Sequence, residues 1–97
     1  MLTPKTRSFL SGLAAKSPVL MHLGKGGASE AVTTQLATLL AHHELVKLKF
    51  IDFKGEKREI AESLASSVHA ELVRVIGNTA VFFRQNPDPE KRKIIVP

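Results

Sequence analysis

The chain has 97 residues, no cysteine, and 14 lysines and arginines against 9 acidic residues, for a formal net charge of +5 at pH 7. A chain of this length forms one domain, and without cysteine it has neither a disulfide framework nor a thiolate metal site. The excess of positive charge favours a polyanionic partner, either a nucleic acid or an anionic membrane surface. We expect a protein of a reducing compartment, the cytoplasm, because cysteine is absent and no apolar run reaches the roughly 18 residues of a membrane span.

Hydrophobic periodicity divides the chain into helices and strands. The acid-free stretch before Glu30 also fits a mitochondrial transit peptide, but Thr3-Pro4 is typical of an N-cap and the first residue of a folded helix. Gly77-Asn78 is a two-residue hairpin signal. The predicted elements are a helix at 4–15, a strand at 19–23, a helix at 30–42, a strand at 45–51, a helix at 57–70, and strands at 72–76 and 80–84.

This order predicts a single α/β domain with a mixed four-stranded sheet. Right-handed crossovers would place both later helices on one face of the sheet and leave the other face less covered. Residues 86–97 hold three of the five prolines, so we expect a tail whose removal leaves a folded domain. Alternatively, residues 94–96 dock as a short edge strand.

Strand alternation separates apolar side chains from cations. If the apolar residues at 45–51 face the helices, Lys47 and Lys49 lie on the opposite face. The same argument adds His22, Arg74 and Arg84 to that face. It turns inward the apolar residues Val46, Leu48, Phe50, Val73, Val75, Val81 and Phe83. A solvated strand face with incidental cations is the alternative.

A glycine-rich loop at 24–27 joins the first strand to the second helix. Glycines let another molecule approach the backbone, and a helix N-terminus with Ser29 as its N-cap offers N–H groups and partial positive charge. This combination suits a phosphate. The loop is not a Walker A motif, because Gly26 follows the lysine, and Ser29 replaces the third glycine of a dinucleotide fingerprint. A plain turn is the alternative.

Four segments together resemble the CRM domain, named for chloroplast RNA splicing and ribosome maturation, in its small stand-alone bacterial form. They are LTPKTRSFLSGLA, SPVLMHLGKGGAS, HHELVKLKF and VIGNTAVFFR. The resemblance covers about residues 2–96 and implies a fold similar to the C-terminal domain of a bacterial translation initiation factor. It also implies binding to structured RNA and association with precursors of the large ribosomal subunit. Ala28-Ser29 departs from the family pattern, in which a bulkier apolar residue and Thr are typical.

The resemblance implies that the glycine loop contacts RNA, with support from basic residues of the first helix and the sheet. The chain has no Trp or Tyr and five Phe, so we expect recognition of RNA shape and backbone rather than of base sequence. Phe53 and Phe82 either stack on bases or lie in the core. The expected RNA-binding residues are Gly24, Lys25, Gly26, Gly27, Ser29, Lys5, Arg7, Lys16, His22, Lys47, Lys49, Arg74 and Arg84.

We expect no catalytic activity, no metal and no cofactor. His42 and His43 are adjacent on a helix, where side chains point about 100° apart and do not share a site. The expected protein is a monomer that binds precursor large-subunit ribosomal RNA on ribosome precursor particles. The alternative is a protein-interaction adaptor on those particles, which binds through an apolar strand face and the tail. The salt dependence of binding distinguishes the two functions, because the affinity for RNA falls steeply with salt concentration and that of an apolar protein interface is far less sensitive.

Overall fold

Three helices and four strands make up the described chain, which a computed structural model covers at residues 2–24, 29–51 and 56–96. In chain order they are α1 (Pro4–Ala15), β1 (Met21–Leu23), α2 (Glu30–His43), β2 (Leu45–Phe50), α3 (Lys57–Ser67), β3 (Glu71–Ile76) and β4 (Thr79–Phe83), followed by a 3-10 turn at Pro89–Lys91. This is the predicted order. α3 ends before residue 70 because His69 has a φ of 56° and the Ala70 N–H donates to the Ala65 carbonyl, so the chain turns out of the helix.

Side-chain caps begin the first two helices. The Thr3 hydroxyl accepts a hydrogen bond from the Thr6 N–H at 3.1 Å, directly before Pro4. The Ser29 hydroxyl accepts one from the Val32 N–H at 3.3 Å. These oxygens pair N–H groups that a helix otherwise leaves without partners. Both predicted helix starts are therefore confirmed.

The sheet has the strand order β1-β2-β4-β3. β1 runs parallel to β2, and β4 lies antiparallel to both of its neighbours. The predicted mixed four-stranded sheet is confirmed. β4 pairs on both sides, and four of its five residues are buried, so both faces of this strand contribute to the core.

α2 and α3 pack on one face of the sheet, where they form the larger of two hydrophobic cores. Val46, Leu48 and Phe50 point into this core, as alternation predicted. Phe82 is fully buried there and cannot stack on a base, whereas Phe53 lies outside the described residues. The other buried members are Met21, Leu23, Leu36, Leu40, Ala61, Leu64, Ala65, Val68 and Ala80.

α1 packs on the opposite face and forms the second core. Leu10 and Ala14 of the helix are buried against it. The sheet residues in this core are Leu45, Val73, Val81 and Phe83. Two of the three helices thus share a face, as predicted, and the third covers part of the other face.

The last two strands orient their side chains differently from the prediction. Val73, Val81 and Phe83 face α1, and only Val75 of the predicted set packs against α2 and α3. In β4 the residues from Ala80 to Phe83 are all apolar, so alternation does not show which side chains face which helices. In β3 a bulge before Arg74 leaves Val73 and Arg74 on the same face of the sheet.

The segment at 86–96, expected to be part of a tail, docks onto the domain through Glu44. This residue follows α2, has a φ of 61°, and is 1% exposed. Its carboxylate accepts hydrogen bonds from the backbone N–H groups of Asn86 at 2.7 Å, Ile94 at 3.0 Å, and Lys93. One side chain therefore holds the segment at both of its ends.

Charge and apolar contact both contribute to this docking. Burial by itself raises the pKa of the Glu44 carboxyl, but its three N–H donors and the charge of Arg92 outweigh burial and hold the pKa below its ordinary value. Ile94 and Val96 pack half-buried beside the α1 core. They do so as irregular chain, since residues 94–96 form no edge strand.

Candidate nucleic-acid interface

α1 covers only one end of its sheet face, and the other end is open. The register aligns His22, Lys49, Thr79 and Ile76 in one row across all four strands. In this row three side chains are exposed and that of Thr79 is half-buried. We call this row, together with Lys47 and Arg74 from the next row, the open basic face.

The cations of this face differ in their partners. Lys47 is half-buried, and its Nζ donates to the Ser17 carbonyl at 3.1 Å. Lys49 and Arg74 are exposed, and no carboxylate of the described residues lies within 4 Å of either. Lys49 and Arg74 are therefore available to an anion, whereas Lys47 has already committed one of its three N–H donors.

The glycine loop leaves the sheet at the same end. β1 ends at Leu23, which pairs with Phe50 one residue past Lys49, and the exposed Gly24 follows. Ser29 lies on the far side of the loop as the N-cap of α2. The predicted contacts at Lys25, Gly26 and Gly27 fall outside the described residues. Gly24, where the loop begins, therefore lies at the end of the sheet that carries the open basic face, and Ser29, where it ends, begins the helix α2 on the other side of the sheet.

One of the cations of α1, Arg7, has a structural role. Arg7 Nη1 donates to the carbonyls of Leu72, at 2.8 Å, and Val73, so it ties α1 to the edge strand β3. Lys5 and Lys16 are exposed at opposite ends of the helix, about 16 Å apart along its axis. The last turn of α1 borders the open basic face, so Lys16 is brought near that face and Lys5 is not.

Arg84 does not lie on the predicted face. Its guanidinium donates to the Val68 carbonyl at 2.8 Å and to the Ala37 carbonyl at 3.0 Å, and so joins the end of α3 to α2. The prediction was wrong because it turned Phe83 toward α2 and α3. By alternation, Arg84 would then lie on the other face of the sheet. In the structure Phe82 faces those helices, and Arg84 follows it to the same side.

Two residues of the open basic face were not predicted, Ile76 and Thr79. Ile76 is 53% exposed, unusually so for a large apolar side chain in a strand. Alternation places Ile76 on the same side of β3 as Arg74, two residues earlier. Thr79 has the parity of Val81 in β4, and the prediction turned Val81 toward α2 and α3, so alternation did not bring Thr79 to this face.

Two features are absent among the described residues, a metal-binding group of side chains and a membrane-spanning helix. No group of three His, Cys, Asp or Glu side chains among them is placed to hold a metal ion. None of the described helices is both long and apolar enough to cross a membrane.

Residues 2–84 match the CRS1/YhbY (CRM) domain family model. The chain is 32% identical to the "Probable RNA-binding protein YqeI" of Bacillus subtilis, over 100% of both chains. It is 35% identical to an "RNA-binding protein" of Haemophilus influenzae, over 99% of this chain and 95% of that one. The fold is similar to the solution structure of the protein SAV1595 from Staphylococcus aureus, with a TM-score of 0.84, 33% identity and 100% of both chains covered. The chain belongs to the CRS1/YhbY (CRM) domain family.

Proposed function

We propose that this protein binds structured RNA through the open basic face and the glycine loop at 24–27, as a non-catalytic monomer of the cytoplasm. The RNA we propose is precursor large-subunit ribosomal RNA, on particles that are being assembled. The observation that carries the proposal is the exposure of Lys49 and Arg74, without acidic partners among the described residues, at the end of the sheet where the loop emerges. The relatives that are named as RNA-binding proteins support it.

The chemistry is that of phosphate recognition. Lysine and arginine on a sheet face neutralise phosphates and release counterions, and this supplies affinity without reading base sequence. Backbone N–H groups at the start of α2 and in the glycine loop would bind a further phosphate, with the Lys25 side chain adding a positive charge. The carboxylate of Glu30, in the first turn of α2, already interacts with the positive end of the helix dipole. The helix end alone therefore attracts a phosphate weakly, and the loop must supply the rest of the attraction.

The adaptor alternative is less well supported. The side chains of the open basic face are mostly basic or polar, with Ile76 as the apolar exception. Ile94 and Val96 of the supposed binding tail pack against the chain's own core. An interface for an apolar protein surface would need such groups to be free.

The test is a titration across a range of salt concentrations. A Lys49→Gln, Arg74→Gln double variant is compared with wild type for binding to a precursor large-subunit RNA fragment and to an unrelated structured RNA. If both residues contact phosphates, the slope of log affinity against log salt becomes shallower by about two. The matched control is Lys91→Gln, Lys93→Gln, which removes the same charge from exposed positions outside this face.

Two results would contradict the proposal. An equal change of slope in the face and control variants would mean that only net charge matters, and a shallow slope in wild type would indicate an apolar interface. The loop is tested separately with Lys25→Ala, Gly26→Asp, in which a carboxylate repels the phosphate. Wild-type affinity in that variant, with an unchanged melting temperature, would remove the loop from the site.

A further inference from the structure

A small slot opens in the open basic face, between the last turns of α1 and the hairpin of β3 and β4. Its volume is about 170 Å³. Its apolar lining consists of buried Ala14 and Val81 together with exposed Ala15 of α1 and exposed Ile76 of β3. Lys47 and Arg74 also line the slot. The site is thus apolar inside with cations at its edge.

This arrangement is not what a phosphate needs. A phosphate is bound by charge and N–H groups, and it gains nothing from the aliphatic side chain of Ile76. An RNA duplex keeps its bases stacked inside and presents phosphates and ribose hydroxyls. The slot therefore indicates a ligand with a flat apolar body and anionic groups beside it, which describes one unpaired nucleotide.

Size and polarity agree with that occupant. Pockets for drug-sized ligands measure about 300–1,000 Å³, so this slot admits a single base rather than a larger group. The hydroxyl-bearing residues Ser11 and Thr79 also line it, and hydroxyls both donate to and accept from base edges. The cations at its edge favour the polyanion over an apolar peptide side chain.

We infer that the slot receives one unpaired base of the bound RNA, with an adjoining phosphate on Arg74. The inference rests on the proposed function and adds to it the class of RNA element that is recognised. In this arrangement the open basic face binds the backbone of a stem, and the slot selects a stem that carries a bulged or looped-out nucleotide.

The experiment uses two RNA hairpins of the same stem, one fully paired and one with a single-nucleotide bulge. Wild type is expected to bind the bulged hairpin about tenfold more tightly, which corresponds to about 1.4 kcal/mol for burying one base against aliphatic side chains. Ala15→Leu fills the slot from the α1 side and should abolish this preference while the affinity for the paired hairpin is kept. Ala41→Leu, on an exposed face of α2, is the matched control and should keep the preference.

A fluorescent base analogue in the bulge gives a second measurement. Its emission should change when wild type binds and remain unchanged with Ala15→Leu. If Ala15→Leu does not fold, Ser11→Leu fills the slot from one turn earlier in α1 and should give the same loss of preference. Equal binding of wild type to both hairpins overturns the slot but leaves RNA binding intact. An equal loss for both hairpins in Ala15→Leu also overturns it, whereas no binding of wild type to either hairpin overturns the proposed function itself.

Discussion

Replacing Glu44 by Gln should loosen the attachment of the C-terminal segment at Asn86, and the hydrogen bonds of Glu44 set the size of the effect. The carboxylate accepts two N–H groups on Oε1 and one, from Asn86, on Oε2. A glutamine that places its oxygen at Oε1 keeps the first two bonds but turns its own NH₂ group toward the Asn86 N–H. Losing one charge-assisted bond costs about 1.5–3 kcal/mol. In a domain of this size, this should lower the melting temperature by roughly 4–8 °C per kcal/mol.

The same substitution should change how stability depends on pH. The folded pKa of Glu44 is lowered, because the N–H donors and Arg92 outweigh the opposing effect of burial. A lowered folded pKa means that the carboxylate stabilises the fold at pH above its unfolded pKa, near 4.3, and that this stabilisation is lost as the pH falls through the folded pKa. Wild type should therefore lose more stability than Glu44→Gln between about pH 5 and that lower value.

The assay is urea unfolding at neutral pH and at about pH 3.5, where Glu44 contributes less. Glu90→Gln is the matched control, because it removes an exposed carboxylate from the same segment. It should resemble wild type in both conditions. If Glu44→Gln matches wild type at neutral pH, or loses as much stability on acidification, the carboxylate does not hold the segment.

Three further predictions concern residues whose roles the structure separates. Lys49→Gln should make the slope of log affinity for RNA against log salt shallower by about one. Lys47→Gln should change this slope less, because the Lys47 Nζ already donates to a backbone carbonyl. Equal changes of slope in the two variants would contradict this. Arg84→Gln should lower stability by about 1–3 kcal/mol, since it removes the hydrogen bonds from the guanidinium to the carbonyls of Ala37 and Val68. Thermal melts should show this loss, and titrations should show an unchanged salt dependence. Removing residues 86–97 should leave a cooperatively folding domain that is less stable by about 2–4 kcal/mol, because the contacts of Ile94 and Val96 and the hydrogen bonds to Glu44 are lost. An unchanged melting temperature would show that docking of this segment contributes nothing to stability.

Sequence reasoning succeeded where a local pattern has one physical outcome. Thr3 and Ser29 precede apolar-periodic segments and cap their helices, and the charged alternation in β2 can bury only its apolar side. The order of elements and the mixed sheet followed from these signals. A strand with one polar side has one stable orientation, so Lys47 and Lys49 were placed on the correct face.

It failed where both parities of a strand are apolar. Ala80 and Phe82 fit one core and Val81 and Phe83 fit the other, so only the position of α1 decides which set faces which helix. The error in Arg84 followed from that choice. The role of Glu44 in holding the C-terminal segment was missed for a related reason. Its three N–H partners lie more than 40 residues away along the chain, and no local sequence pattern indicates them.

The placement of α1 also determines which cations remain for a ligand. α1 covers Phe83 and Val81 of β4, leaves Lys47 and Arg74 on either side of Val81 at least partly exposed, and stops before the row that holds Lys49 and Thr79. Arg7 fixes the helix there by its bonds to the carbonyls of β3. The open basic face is therefore a part of the sheet held by strand pairing on one side and by an anchored helix on the other. A surface held in this way would need little backbone ordering to bind a ligand, so more of its electrostatic attraction would appear as affinity.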